Sequence, residues 1–365
     1  MPVAPDTSNM IPSRLTGKPF WQIYLYQDPP LWKAYIDAVK YFGFDSLMDG
    51  YFGLQFPEER DPEADAWKNY IVKRTDETIV TRRRFEDGRV KRWAERVNLY
   101  RIADAPVWNV RPAALGLPDE PDAFEPVEGV KAWPAGEELG RTVKAEMGDH
   151  GVVGVFCGTS LHLNDQEDIL TYYDDPTPFR KRSMNMVHDA EVRFQRLMAL
   201  PDDARPDFIC CGASGTLVFQ TPDMFRELGL PVVQKVTALC RKAGIPSHIH
   251  SCGPEKELVK ICAEETDLTV IDPLEIPPMG DCVLADIKKL YGDRLVLKGN
   301  LHTTDVMLRG TPETVRTAAK QAIDDAAEGG RFILSTGDQC GRDTPDENIM
   351  AMIETARTYG AYRAT

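Results

Sequence analysis

The sequence predicts an α/β fold, a (β/α)₈ TIM barrel, and three observations support this prediction. Eight short apolar runs are typical of strands, and helical patterns separate most of them. Several of these runs are nearly continuous in Val, Ile, Leu and Phe, which is typical of parallel strands covered on both faces. Thr-Pro pairs at 221–222 and 311–312 mark helix starts. Eight strands in βα alternation favour a closed barrel over an open sheet.

The predicted elements follow one another along most of the chain. The strand-like runs are residues 20–26, 46–49, 151–157, 207–212, 246–250, 268–271, 295–298 and 332–335. The main helical patterns are residues 31–42, 179–200, 222–243, 256–265, 312–327 and 345–359.

Two segments depart from this alternation. The first ~16 residues are rich in Pro and are interpreted as an N-terminal arm. Residues 52–148 form an insertion after the second strand, in which Glu86, Asp87 and Gly88 separate two β-rich runs at 77–85 and 89–97. An Asp-Gly pair between such runs predicts a hairpin. We expect one barrel over residues 1–365, with the insertion acting as a lid.

Composition excludes several classes of protein. The chain has 365 residues, with 43 Lys and Arg against 57 Asp and Glu, and therefore a net charge of −14. A nucleic-acid-binding scaffold has a basic contact surface instead. No apolar run reaches the ~20 residues that span a bilayer, and the first residues lack the features of an export leader. We expect a cytoplasmic enzyme whose eight cysteines are reduced thiols, with no nucleic-acid or membrane partner.

Candidate metal ligands follow the predicted strands. The active site of a barrel lies at the C-terminal ends of its strands, and His250 and Cys252 stand at the end of the fifth strand. Positions i and i+2 of an extended chain point to the same side, so an imidazole and a thiolate can bind one Zn²⁺. Cys340, after the eighth strand, is the predicted third ligand, with Asp338 and Glu275 as alternatives. The competing interpretation is a packed thiol and a core histidine.

The C-terminal half resembles the uroporphyrinogen decarboxylase superfamily, and especially its corrinoid-dependent methyltransferase branch. The segments that carry the resemblance are Ile-His-Ser-Cys-Gly at 249–253, Lys-Gly-Asn-Leu at 298–301, Gly-Thr-Pro-Glu-Thr-Val at 310–315, Gly-Arg-Phe-Ile-Leu-Ser-Thr-Gly at 330–337 and Thr-Pro-Asp-Glu-Asn at 344–348. Decarboxylases of the superfamily carry an Arg-rich N-terminal signature, whereas residues 19–28 are aromatic and contain no Arg. The methyltransferase branch uses a His-x-Cys pair and a later Cys as zinc ligands, and in many relatives that Cys stands where this chain has Asp338.

The resemblance implies a zinc-dependent methyltransferase that works with a corrinoid protein. We expect transfer of a methyl group from a methoxylated aromatic, by O-demethylation, to the Co(I) centre of that partner. The alternatives are methyl transfer from a methyl-corrinoid to a thiol, transfer from methylamines or thioethers, and, third, porphyrinogen decarboxylation. A homodimer is compatible with the resemblance. The residues expected to bind the substrate are Tyr24, Asp49, Tyr51 and Asn300.

Overall fold

The computed structural model describes residues 1–48, 50–163 and 165–361, and the chain divides into two compact units. The larger unit comprises Met1–Ser8, Val39–Gly50 and Gly140–Thr365, and the smaller unit comprises Asn9–Ala38 and Tyr51–Leu139. Each unit has its own sheet.

Helices and strands alternate unevenly along the described residues. The helices are α1 (Met10–Leu15), α2 (Phe20–Tyr24), α3 (Leu31–Phe42), α4 (Gly136–Met147), α5 (Gln166–Asp174), α6 (Thr177–Met198), α7 (Thr216–Phe219), α8 (Pro222–Leu228), α9 (Leu230–Ala243), α10 (Lys256–Glu265), α11 (Leu284–Tyr291), α12 (Pro312–Ala326) and α13 (Asp346–Thr358). The strands are β1 (Ser46–Met48), β2 (Trp67–Arg74), β3 (Thr78–Glu86), β4 (Lys91–Arg101), β5 (Val107–Val110), β6 (Glu125–Pro126), β7 (Gly151–Thr159), β8 (Phe208–Gly212), β9 (Ser247–His250), β10 (Val270–Asp272), β11 (Val296–Leu301) and β12 (Phe332–Thr336).

The sheet of the larger unit contains seven parallel strands in the order β1-β7-β8-β9-β10-β11-β12. These strands match seven of the eight predicted runs, so the α/β barrel prediction is confirmed, and helices alternate with most of them. Their side chains are largely buried, as in β8, where every residue is buried. Continuous burial explains why these strands are nearly uniform in apolar residues rather than alternating. The sequence also marks the helices correctly, since the Thr221 and Thr311 side chains cap α8 and α12.

The N-terminal segment lies between the two edge strands β12 and β1. Val3 forms a parallel bridge with Leu334, and the Ala4 N–H donates to the Leu334 carbonyl at 2.9 Å. On the other side, the Asp45 N–H donates to the Val3 carbonyl at 2.9 Å, and the Val3 N–H donates to Asp45 Oδ2 at 3.0 Å. Residues 2–4 therefore take the eighth strand position of the barrel. The segment interpreted as an N-terminal arm thus pairs with barrel strands, which its sequence did not predict.

The prediction of a first strand at residues 20–26 is wrong, because residues 20–24 form α2. Phe20 and Ile23 are its buried side chains, and their i, i+3 spacing places them on one helical face. Aromatic residues at the other positions gave the run the composition of a strand. The real closing segment escaped detection because it spans only three residues, begins with Pro2 and is followed by Pro5.

The smaller unit contains an antiparallel sheet in the order β5-β4-β3-β2-β6. The predicted hairpin is confirmed as β3 and β4, which pair in antiparallel register. Asp87 Oδ1 accepts the N–H groups of Arg89 and Val90 at 2.8 and 2.7 Å, and Gly88 has a φ of +86° in the turn. This combination of an Asp acceptor and a left-handed Gly is the expected turn chemistry.

Two expectations from composition can be compared with the structure. All eight cysteines are free, and all except Cys252 are buried. In the part of the chain that the structure describes, no helix has both the length and the apolar character needed to cross a membrane.

Substitution of Val3 by Asp tests the closing segment. Val3 has 0% of its surface exposed, so an Asp there buries an unpaired charge or forces residues 2–4 out of the sheet. We expect the free energy of unfolding in urea to fall by about 3 kcal/mol or more. Val283→Asp is the matched control, because Val283 is 55% exposed and precedes α11, where an Asp is neutral or stabilising. Equal stability of the Val3→Asp variant and the wild type would contradict the closure.

Candidate active site and metal centre

A buried carboxylate organises the C-terminal face of the barrel. Asp272 ends β10 and is 1% exposed. Its Oδ1 lies 2.9 Å from His248 Nε2 and 3.3 Å from His250 Nδ1, and its Oδ2 accepts a hydrogen bond from Lys298 Nζ. Burial by itself would raise the pKa of Asp272, but the charges of Lys298 and the two histidines hold it well below its ordinary value. Asp272 is therefore a carboxylate that fixes groups from two neighbouring strands.

His250 lies between two carboxylates at the rim of the barrel. Its Nδ1 faces Asp272, and its Nε2 lies 3.5 Å from Asp338 Oδ1. Burial lowers the pKa of the imidazole, but Asp272 and Asp338 outweigh it and hold that pKa well above its ordinary value. Because Asp272 takes Nδ1, the ring presents Nε2 to whatever binds at the rim. A metal-binding histidine is oriented in this way by a carboxylate behind it.

Three side chains at this rim could hold one metal ion. The ligand atoms of Asp6, His250 and Asp338 all lie within 4.8 Å of one another. Asp338 is the alternative ligand expected from the sequence, whereas Asp6 was missed. No sequence signal singled out Asp6, because it lies in a segment that was not recognised as part of the barrel. One imidazole nitrogen and two carboxylates are ligands that a divalent cation such as Zn²⁺ accepts, so the residues fit a metal.

The two predicted thiolate ligands lie outside this group of ligand atoms. Cys252 Sγ is 3.2 Å from Ser214 Oγ. Cys340 is 0% exposed, and burial raises the pKa of its thiol to about 12. Asp338, at a φ of +98°, occupies the place beside His250. The structure thus brings His250 together with Asp338 and not with Cys340, while the ligand set itself stays a prediction.

The carboxylate of Glu275, the other alternative ligand, accepts a hydrogen bond from the backbone. Its Oε2 accepts the N–H of Gly253, and burial raises its pKa. Glu255 is a second buried carboxyl, and its Oε2 accepts the N–H groups of Leu274 and Glu275. These two side chains hold the turns that follow β9 and β10 and so keep the barrel rim in place.

The residues expected to bind substrate occupy different surroundings. Asn300 is buried, and its Nδ2 donates to the Leu274 carbonyl at 3.0 Å. Tyr24 and Tyr51 belong to the smaller unit: the Tyr24 hydroxyl lies 3.5 Å from the Asn9 carbonyl, and Tyr51 stacks on Tyr35 with ring centroids 3.8 Å apart. Burial raises the pKa of Tyr24 to about 12. Asp49 lies outside the described residues. Substrate binding by these four residues stays a prediction.

Comparison with known proteins identifies similar sequences and similar folds. Residues 181–359 match the profile of the uroporphyrinogen decarboxylase (URO-D) family. The chain is 29% identical over 143 residues to the methylcobamide:CoM methyltransferase MtaA of Methanosarcina barkeri, a match that covers 39% of this chain and 38% of that protein. It is 35% identical over 71 residues to the uroporphyrinogen decarboxylase of Dichelobacter nodosus, covering 20% of each chain. These matches span less than half of either relative.

A solved structure extends the likeness to nearly the whole fold. A methyltransferase from Methanosarcina mazei aligns with 99% of this chain and 94% of its own, with a TM-score of 0.57 and 15% sequence identity. At this identity the alignment supports a common fold.

Substitution of Lys298 by Met tests the buried network. The change leaves Asp272 as a buried carboxylate without its lysine, which we expect to cost about 3–5 kcal/mol of unfolding free energy at pH 7. In the wild type, the depressed pKa of Asp272 contributes stability above about pH 4, which is lost as the pH falls through its folded value. In the variant that pKa rises, so the difference from the wild type should shrink between pH 7 and pH 5.

Urea unfolding at the two pH values measures both effects. Lys289→Met, on the exposed face of α11, is the matched control and should change the stability little. A loss of unfolding free energy that is equal at both pH values, or no loss at pH 7, would show that the ionisation of Asp272 does not depend on Lys298.

Proposed function

We propose that this chain, which belongs to the uroporphyrinogen decarboxylase superfamily over residues 181–359, is a corrinoid-dependent methyltransferase that demethylates methoxylated aromatics. The methyl group would pass to the Co(I) centre of a separate corrinoid protein. The observation that carries the proposal is the position of Asp338, whose carboxylate lies 3.5 Å from His250 Nε2. The matched methylcobamide:CoM methyltransferase supports methyl transfer as the reaction class.

A zinc ion at the barrel rim is part of this proposal, with His250 as its nitrogen ligand. When bound, Zn²⁺ would act as a Lewis acid toward the ether oxygen and stabilise the departing phenolate. Asp272 prepares His250 for this role, because it holds Nδ1 and leaves Nε2 directed at Asp338. Lys298 keeps Asp272 ionised and in place.

The ligand chemistry favours an oxygen-containing donor. A carboxylate donates less electron density to a metal than a thiolate does, so a carboxylate-rich site is the stronger Lewis acid. An aryl methyl ether needs this assistance, because its oxygen is a weak donor and its leaving group is poor without it. A site for thiol activation would instead gain from soft sulfur ligands, whereas the side chain of Cys340 is fully buried.

The corrinoid is proposed to arrive on a partner protein. The sequence contains no Asp-x-His-x-x-Gly motif of the type that ligates cobalamin. His250 has 19% of its side chain exposed and Asp338 has 30%, so the rim of the barrel remains accessible to a docking protein.

A second candidate function is methyl transfer from a methyl-corrinoid to a thiol. It is favoured by the relative from Methanosarcina barkeri, whose name specifies CoM as a reactant. Decarboxylation of a porphyrinogen is the third candidate and rests on the matched decarboxylase, but residues 19–28 lack the arginines expected for a polycarboxylate substrate.

Incubation with a reduced corrinoid protein and methoxyphenols tests the proposed reaction. We expect the methyl-Co(III) absorption spectrum and free phenol to appear together. His250→Ala should lower the rate at least ~100-fold, because it removes the nitrogen ligand and the group that Asp272 orients. The matched control is His188→Ala, since His188 is exposed on α6, and its rate should equal that of the wild type.

Parallel reactions separate the three candidate functions. Turnover only with methyl-corrinoid and a thiol, or only with methylamines or thioethers, would contradict O-demethylation. It would still support the assignment of the chain as a methyltransferase. Release of CO₂ from a porphyrinogen without methyl transfer would contradict both methyltransferase assignments.

A further inference from the structure

The N-terminal segment brings a carboxylate to the rim of the barrel from a distant part of the sequence. Residues 2–4 lie between β12 and β1, and Asp6 follows two residues later. The Asp6 N–H donates to Thr336 Oγ1 at 3.0 Å, across 330 positions of the chain. The Cys340 N–H donates to the Asp6 carbonyl at 2.9 Å. Asp6 is thus held by its main chain on both sides.

The side chain of Asp6 is also oriented. Its Oδ1 accepts the Ser8 N–H at 2.8 Å, and the Ser8 hydroxyl donates to the Cys340 carbonyl at 2.8 Å. An ionised carboxylate offers about four lone-pair positions, so it can accept hydrogen bonds and ligate a cation at the same time. Its ligand atom lies within 4.8 Å of those of His250 and Asp338.

Asp338 reaches the same point by an unusual backbone conformation. Its φ of +98° is one that L side chains rarely adopt, and such conformations cluster at functional sites. The neighbouring turn is fixed because the Gly337 N–H donates to the Leu301 carbonyl at 2.7 Å. The same turn leaves Cys340 buried, with its backbone tied to Asp6 and Ser8.

We propose that Asp6, His250 and Asp338 form one metal site with nitrogen and oxygen ligands, in which the barrel-closing segment supplies a ligand. This site deepens the proposed function, because it assigns the cation at the barrel rim to two carboxylates rather than to Cys340. Imidazole and carboxylate ligands suit Zn²⁺, Co²⁺ and Mn²⁺.

A consequence of this site is a link between metal binding and barrel closure. Asp6 lies only three residues after Val3, so a cation bound to Asp6 and His250 ties the closing segment to β9. Whatever binds the closed barrel more tightly than the open one favours closure. We therefore expect Zn²⁺ to slow hydrogen exchange at Val3 and Ala4.

Metal titration of the full chain tests the assignment of ligands. The protein is freed of metal with a chelator, and Zn²⁺ and Co²⁺ affinities are measured by competition with a coloured chelator. We expect Asp6→Asn and Asp338→Asn to weaken Zn²⁺ binding at least ~10-fold, and Cys340→Ser to leave it within ~2-fold. The matched control is Asp286→Asn, which removes one negative charge at an exposed position on α11.

Two further measurements keep the result interpretable. Thermal unfolding of each metal-free variant separates a lost ligand from a misfolded protein. The spectrum of the Co²⁺-loaded protein should contain no thiolate charge-transfer absorption. Wild-type affinity in Asp6→Asn, or a Co²⁺ spectrum that loses a thiolate band in Cys340→Ser, would overturn the proposal.

Methyl transfer assayed on the same samples distinguishes the two proposals. If the Asp6→Asn variant binds metal as tightly as the wild type and still demethylates methoxyphenols, the ligand assignment is overturned. The proposed reaction is then still supported. If the Asp6→Asn substitution weakens metal binding as expected but the wild-type protein never demethylates a methoxyphenol, the metal site is supported. The proposed reaction is then contradicted.

Discussion

The barrel rim depends on the burial of one charged group, the Asp272 carboxylate. A buried carboxylate is costly unless it is paired and hydrogen-bonded, and the partners of Asp272 come from the strands on either side: His248 and His250 from β9 and Lys298 from β11. Parallel pairing sets Asp272 opposite His250 in register. A slip of one residue would turn these side chains to the other face and leave the charge unpaired. The same contacts that stabilise this strand order therefore aim His250 at the rim.

The closing segment extends this constraint to the edge of the sheet. Its hydrogen bonds with Leu334 and Asp45 join β12 to β1, and its continuation places Asp6 beside His250. The same short segment thus closes the barrel and places Asp6 at the rim.

Local signals predicted most of the fold and some residues of the candidate site. The seven strands of the larger unit and the β3–β4 hairpin were found because each has a continuous apolar pattern or a diagnostic Asp-Gly turn. Residues 20–24 were misassigned because aromatic composition outweighed helical spacing. His250, and Asp338 as an alternative to Cys340, were named as candidates because they follow recognisable strands. Asp6 could not be found, since its partner Thr336 is 330 positions away and the three-residue segment that brings it there has no periodicity to detect.

The zinc X-ray absorption spectrum of the metal-loaded protein measures the ligand chemistry most directly. Coordination by His250, Asp6 and Asp338 predicts a first shell of nitrogen and oxygen atoms at ~2.0–2.2 Å, with outer-shell scattering from one imidazole. This result would agree with a Lewis-acid site for an oxygen-containing methyl donor. A first shell that contains sulfur at ~2.3 Å would contradict it, because the proposed site contains no thiolate.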